Sequence, residues 1–379
     1  MRKEERKWSL PPLEWINGVQ ERREDLIPRR ILIAGCGVGM EAFVLGERFP
    51  SADIVAVDFS ERSIAAARRF QRSEKGGARV RFEVADLAGA ELLAITGRAF
   101  DLISCHGVLS YIPDAATVLR NLARGLSPTG IVILGTNGAA HPSVRFRPVL
   151  PRLGIEADEF REGRRVRDVL RVCDALSVYP PTPIASKPAG FLAGDLFGPM
   201  NRAISLSEWK ALYSRAGLHL LGSYHAFFAI RRVLNGDLHP VLMPKSRTEI
   251  SELVDALQPA SFHQLVLARR PSPRIPWHDA RKILRCRPIR TALYAIRLPR
   301  GRAPWKDLRR VTLESRATMT GATLNVPQWE VEILKNCDGE RSLLELLRPV
   351  RSKIPAATVS EAMYLLYQLT ALNLLPAAG

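Results

Sequence analysis

The stretch Ile31-Leu-Ile-Ala-Gly35-Cys-Gly37-Val-Gly39, followed by Met40-Glu-Ala-Phe-Val-Leu-Gly-Glu-Arg48, decides the fold. A short apolar run ends in alternating glycines, and a helical pattern follows at once. The run is too short for a helix and fits a strand covered on both faces. The glycines permit a sharp turn and let a ligand approach the backbone closely. The helix behind them opens with unpaired N–H groups and the positive end of its dipole, which suit a carboxylate or phosphate. Alone, such a loop is also an ordinary strand-to-helix turn. Its place at the head of a βα series gives it weight.

Working outward, Asp53–Val57, Val80–Val84, Asp101–Ser104 and Ile131–Leu134 are further short apolar runs bounded by Gly, Asp or Pro. Helical patterns lie between them. Ser60–Arg72 carries Ile64, Ala67 and Phe70 on one face, and Ala115–Gly125 carries Val118, Leu119 and Leu122. Repeating βα units predict an α/β, doubly wound sheet with right-handed crossovers.

Two acids discriminate between ligands. Asp58, followed by Phe59, ends the second strand, where a carboxylate can accept both hydroxyls of a ribose. Asp86, followed by Leu87, ends the third, where a side chain can reach an adenine amino group. A dinucleotide site calls for Gly or Ala three places after Gly37, and Met40 stands there. The set Gly35, Gly37, Gly39, Asp58 and Asp86 resembles a class I S-adenosylmethionine-dependent methyltransferase, over residues 25–139 closely and to about residue 270 loosely. The resemblance implies a seven-stranded Rossmann-like sheet, S-adenosyl-L-methionine as cofactor, and a cofactor site of Gly35, Gly37, Gly39, Asp58, Phe59, Asp86, Leu87 and Cys105. One position departs from the family pattern: Ile33 stands where many such enzymes carry Asp or Glu for the cofactor's amino group.

The fourth strand leads into Cys105-His-Gly-Val-Leu-Ser-Tyr111-Ile-Pro-Asp114. Ligands of open α/β sheets bind beyond the carboxyl ends of the strands, so this segment is expected beside the reacting centre. His106 is the candidate proton acceptor and Tyr111 the candidate wall of the transfer pocket; plain packing roles are the alternative for both. Methyl transfer mostly needs in-line positioning, so no general base is required.

Beyond residue 139 the βα rhythm stops. Residues 140–203 are rich in Pro, Gly and Arg, with one helix expected at Arg164–Leu176, and read as an insertion or lid. A helix follows at Ser207–Ala216, with Ser207 as cap. Leu218–Ile230 and Phe262–Ala268 read as strands of an antiparallel pair on the sheet edge, with 235–259 as an excursion. Residues 1–270 then form one decorated domain, or 150–270 stand apart. Residues 271–310 read as a basic Pro/Arg-rich linker. Residues 311–379 read as a small winged-helix-like domain, with a helix start at Asn325–Pro327, a turn at Asp338-Gly339, and capping boxes at Ser342–Glu345 and Thr358–Glu361. Asp195–Gly217 is similar to the lid and penultimate helix of related methyltransferases. The overall order is similar to bacterial methyltransferases with a regulatory segment and such a terminal module, some of which modify protein lysines.

Composition bounds the rest. The 379 residues suffice for a core without staples, and five distant cysteines form no C-x-x-C, against a zinc site or a secreted disulfide scaffold. The chain start lacks a signal-like apolar run, and no stretch reads as a spanning helix, so a cytoplasmic enzyme is the expectation. Fourteen Lys and Arg against two Asp between Arg269 and Arg310 give +12 of the total +17. This segment is expected to offer an acidic partner a weak contact. Three function classes compete. An S-adenosylmethionine-dependent methyltransferase acting on a protein or peptide leads, with a small-molecule acceptor second. A non-catalytic nucleic-acid-binding regulator would need a cationic reading helix, yet Val359–Leu372 has no Lys or Arg and only Gln368 as reader, so no specific DNA is expected. A peripheral membrane role through Ile289–Leu298 is opposed by its shortness between Pro288 and Pro299.

Overall fold

A computed structural model describes residues 10–20, 26–73, 80–155, 164–176, 184–187, 192–196, 198, 200–234, 242–301, 303–315 and 322–376. Parallel strands β1 (Arg30–Ala34), β2 (Asp53–Asp58), β3 (Val80–Val84), β4 (Phe100–His106) and β5 (Leu126–Asn137) appear where the apolar runs place them. β6 (His219–Ser223) and β7 (Phe262–Ala268) complete a seven-stranded sheet ordered β3-β2-β1-β4-β5-β7-β6. β7 runs antiparallel to both β5 and β6. Strand addition reverses direction between β1 and β4, so a crevice opens at their carboxyl ends.

Side chains alternate between two apolar layers with the period of a strand. Ile31, Ile33, Leu102, Ile131 and Ile133 join one layer; Leu32, Ala34, Ile103, Val132 and Leu134 join the other. The first layer takes helices α1 (Leu13–Val19), α2 (Met40–Arg48) and α3 (Glu61–Ser73), and the second takes α4 (Leu92–Thr96) and α5 (Ala115–Gly125). In the insertion, α6 (Pro142–Phe146) and α7 (Arg164–Ala175) share a small core of their own around Phe146, Leu150, Leu170 and Leu196. α8 (Leu206–Arg215) returns to the second layer; α9 (Tyr224–Leu234) and α10 (Arg247–Leu257) return to the first.

The chain continues through α11 (Ala280–Ile283), β8 (Arg287–Arg290), β9 (Tyr294–Arg297), β10 (Leu308–Ser315), β11 (Ala322–Pro327), α12 (Gln328–Asn336), α13 (Leu343–Leu346), α14 (Ala356–Gln368) and β12 (Leu372–Leu375). β9, β10 and β11 form one antiparallel sheet, and β8 pairs with β12. The apolar core of this part is continuous with the first layer of the large sheet.

Several expectations need correcting. Residues 271–310 do not form a bare linker: β8 and β9 pair with β12 and β10, and Ile283, Leu284, Leu293 and Tyr294 are buried. The Ile289–Leu298 piece is therefore the end of β8, a turn and β9, not a segment free to lie on a membrane surface. The strand expected over 218–230 stops at Ser223, because Phe227 and Ile230 turn inward at helical spacing within α9. The cap of α8 is Ser205, not Ser207, in a capping box with Glu208. Ser342 and Glu345 do form a capping box, but Thr358 lies inside α14, which starts after Pro355. Pro327 ends β11 and caps α12 from outside. Residues 235–241 of the excursion, Phe197 and Pro199 of the lid segment, and Arg302 of the basic segment lie outside the described residues. Among the described residues no helix is long and apolar enough to cross a membrane.

Candidate functional site

The glycine loop is tied to β2 before any ligand is considered. The N–H groups of Gly35 and Cys36 both donate to the Val57 carbonyl at 2.8 Å. Gly37 N–H donates to Asp58 Oδ2 at 2.9 Å, and Ser60 N–H donates to Asp58 Oδ1 at 2.9 Å. Asp58 is 8% exposed. Each carboxylate oxygen keeps a second lone pair for an outside donor, so Asp58 both shapes the loop and faces the crevice. Gly35 has φ +80, and a Cβ there would stand 2.4 Å from a Val108 methyl. Gly39 caps α2 at φ +88 with the Phe82 ring 3.0 Å from its missing Cβ. Both positions exclude side chains by backbone and by space.

A cavity of about 570 Å³ lies at the carboxyl ends of β1 to β4, lined by Gly35, Asp58, Phe59, Asp86, Leu87 and Tyr111, with the Gly107–Val108 turn and Ile112–Pro113. Phe59 is 81% exposed, an aromatic face with no covering. Asp86 is exposed, with Oδ1 accepting from Ala88 N–H at 2.9 Å, while Leu87 is buried beneath it. Among the described residues no cluster of His, Cys, Asp and Glu could hold a metal ion.

Some expected site residues stand elsewhere. Gly37 and Gly39 act through the loop rather than on the cavity wall. Cys105 points into the second apolar layer, and burial pushes its thiol up to about 12. Burial likewise holds Cys36 at about 12, so neither is a thiolate nucleophile. His106 is not on the wall: its ring packs over Gly135, meets the Phe262 ring at 5.1 Å, and has Nε2 at 3.4 Å from Gln264 Nε2. Burial lowers its pKa to about 4, so it is neutral near pH 7. Strand alternation points Ser104 and His106 to one face of β4 and Cys105 to the other, and neither Cys105 nor His106 lines the cavity.

Tyr111 is on the wall, and its phenol oxygen accepts from Asn137 Nδ2 at 3.0 Å. That amide also donates to Asn201 Oδ1 at 2.8 Å, and Asn201 donates to Ser143 Oγ at 2.9 Å. Arg202 N–H donates to Ser110 O at 2.7 Å, and its guanidinium donates to the carbonyls of Ile112 and Pro113. The cavity rim is thus fastened to the end of β5 and to the insertion. Sequence reading missed Asn137, Asn201 and Arg202. Asn201 and Arg202 lie within the Asp195–Gly217 stretch read as similar to a lid, and Asn137 follows the fifth apolar run by three residues.

Residues 32–132 match the Methyltransferase domain family. With the sheet order, the glycine loop and the acids at the ends of β2 and β3, this part of the chain is a class I, S-adenosylmethionine-dependent methyltransferase domain. Among relatives, a ubiquinone biosynthesis O-methyltransferase of Neisseria meningitidis is 31% identical over 33% of this chain and 49% of that protein. A demethylmenaquinone methyltransferase of Thermus thermophilus is 34% identical over 38% of this chain and 66% of that protein. The chain thus spans two thirds or less of the length of these relatives. The structure of PKMT2 from Rickettsia typhi in complex with AdoHcy aligns over 97% of this chain and 76% of that chain, with a TM-score of 0.58 and 14% identity, a likeness of fold.

Proposed function

We propose that the protein transfers a methyl group from S-adenosylmethionine to a nucleophilic side chain of a protein or peptide. The cavity carries this reading: it joins a ribose acceptor (Asp58), an exposed aromatic face (Phe59) and a second acid (Asp86) around a glycine loop that admits no side chain. When bound, S-adenosylmethionine supplies a methyl group on a cationic sulfur. Gly35 brings bare backbone to the cavity wall, and Gly39 lets the loop turn into α2. Asp58 would accept from the ribose hydroxyls, Asp86 from the adenine amino group, and Phe59 would cover the ring. Tyr111, held by Asn137, and Ile112 and Pro113, held by Arg202, shape the side from which an acceptor arrives. His106 stands off the wall, so the site works by positioning and leaves the proton to solvent or to the acceptor's own partner.

A protein or peptide acceptor is favoured because the part from α11 onward is large and tied to the domain, and offers a surface for recruitment; its exposed basic residues Arg281, Lys282, Arg285 and Arg290 suit an acidic segment. The names of the relatives above support a small-molecule acceptor as the second reading. Gln368, the one candidate base reader, is 1% exposed and donates to the Lys245 carbonyl, so it is not available to a base edge. Incubating the full chain with a cell extract and isotopically methyl-labelled cofactor tests the acceptor. Label in the protein fraction is expected; label confined to small molecules would replace the first reading by the second.

A further inference from the structure

Glu41 is the second residue of α2, and the carboxylate folds beneath the glycine loop instead of pointing to solvent. Its neighbours are Cys36 on the loop and Ser104 and Cys105 on β4. Glu41 Oε1 is fully buried with no hydrogen-bond partner among the described residues, and so is Ser104 Oγ beside it. Ser104 Oγ–H stands close enough to act on the carboxyl as a donor, yet Oε1 has no partner of its own, and a buried carboxylate oxygen without one is costly and marks a missing donor. No Lys or Arg faces the carboxylate from these elements: Cys36 and Cys105 hold their protons, and Asp58 stands beyond Cys36. Ile33, on the preceding strand, brings no charge to this place and is buried in the first apolar layer.

S-adenosylmethionine ends in an amino acid, with one carboxylate and one primary ammonium. The exposed N–H groups at the start of α2 suit the carboxylate. The ammonium needs an anion on the β4 side of the loop. We propose that Glu41, with Ser104, receives the primary ammonium of the cofactor's amino-acid end. The inference rests on the reading of the cavity as an S-adenosylmethionine site.

Burial holds the Glu41 carboxyl up at about 7, with Ser104 pulling it partly back down. Pairing with an ammonium requires the ionised form, so below about pH 7 the proton must leave before the ligand binds. Affinity should rise with pH up to that point and then level.

Calorimetric titration of the full chain and of Glu41→Gln decides the matter, using two probes. S-adenosylhomocysteine carries the amino-acid end, whereas 5′-methylthioadenosine lacks it. For S-adenosylhomocysteine, Glu41→Gln should weaken binding roughly ten- to hundredfold and abolish the gain between about pH 6 and about pH 8. Binding of 5′-methylthioadenosine should change by less than about twofold. Glu41→Ala should show the same ligand-selective loss, and thermal melting without ligand checks that each variant is folded. Equal weakening of both probes, or unchanged S-adenosylhomocysteine binding, would overturn the assignment of Glu41. Failure of the wild-type chain to bind either probe would overturn the cofactor reading beneath it.

Discussion

Asp58 holds the glycine loop and the start of α3 with its two carboxylate oxygens, so its loss should be felt by both. Asp58→Ala should lower S-adenosylhomocysteine affinity roughly ten- to hundredfold, since a hydrogen bond to a charged group contributes about 1.5–3 kcal/mol. Asp101 is the control. It accepts from the N–H groups of Arg29 and Arg30 at the opposite end of β4 from the cavity. Asp101→Ala should therefore cost about 1–3 kcal/mol of stability and leave affinity within about twofold. Calorimetry and urea unfolding on both variants separate the two effects; equal losses of affinity would mean the site lies elsewhere. His106 makes a prediction in pH. Its folded pKa near 4 lies below the ordinary 6.5, so its contribution to stability is complete above 6.5 and is lost as pH falls toward 4. Urea midpoints of His106→Gln and wild type should converge on acidification through that window; a gap independent of pH would contradict the buried neutral imidazole. At this scale the sequence disclosed, through residue type and strand end, residues that line the cavity: Asp58, Phe59 and Asp86. It hid Glu41, because an acid in the first turn of a helix reads as a solvated favourable charge. It hid Asn137 as well, because its partners Tyr111 and Asn201 lie far off along the chain.

Elements were legible wherever apolar runs alternated with helical patterns. α2, α5 and β3 begin and end where the sequence reading put them. Errors came where two periods overlap. Leu218–Ile230 is apolar enough for a strand, but Trp15 packs edge-on against Tyr224 at 5.0 Å and tilted against Phe227 at 6.1 Å, which commits residues after Ser223 to a helix. The α8 cap was misplaced by two residues because Ser205 and Ser207 both fit a cap, and only Ser205 has Glu three residues on. Ser205→Ala should cost about 1 kcal/mol, while Ser207→Ala should cost less than about 0.5 kcal/mol, by chemical denaturation. In α12, Glu330 is 6% exposed, its Oε2 has no partner among the described residues, and burial raises its pKa to about 8. A carboxyl raised above its ordinary value is tolerated below about pH 4.5 and weakens the fold as pH rises through 8. Glu330→Gln should therefore raise the melting temperature at about pH 9 and leave it nearly unchanged at about pH 4. A drop at about pH 9 would show that the carboxylate is paired in solution.

Across the whole molecule, the part after residue 270 and the methyltransferase domain share one apolar layer, from Trp15 and Ile31 through Val311 to Leu374. Polar ties cross the same boundary. Arg247 on α10 lies 3.8 Å over the Tyr367 ring and donates to Tyr367 O and Asn373 Oδ1; Asn373 Nδ2 donates to Gly18 O. Composition could not reveal this, since Pro and Arg density reads as a linker whether or not strands pair within it. Arg247→Met should destabilise the chain by about 2–4 kcal/mol in one cooperative transition, because two buried acceptors lose their donor. A separate early transition would instead identify an independent terminal domain. For the same reason, cutting the chain at residue 310 should expose core and precipitate the remainder. The central claim is that the cavity over the glycine loop holds S-adenosylmethionine, and calorimetric titration of the intact chain with S-adenosylhomocysteine and, separately, with NAD tests it most directly. Saturable binding of S-adenosylhomocysteine that is weakened roughly ten- to hundredfold in Asp58→Ala, with no heat from NAD, is the expected result; saturable NAD binding without S-adenosylhomocysteine binding would contradict the account.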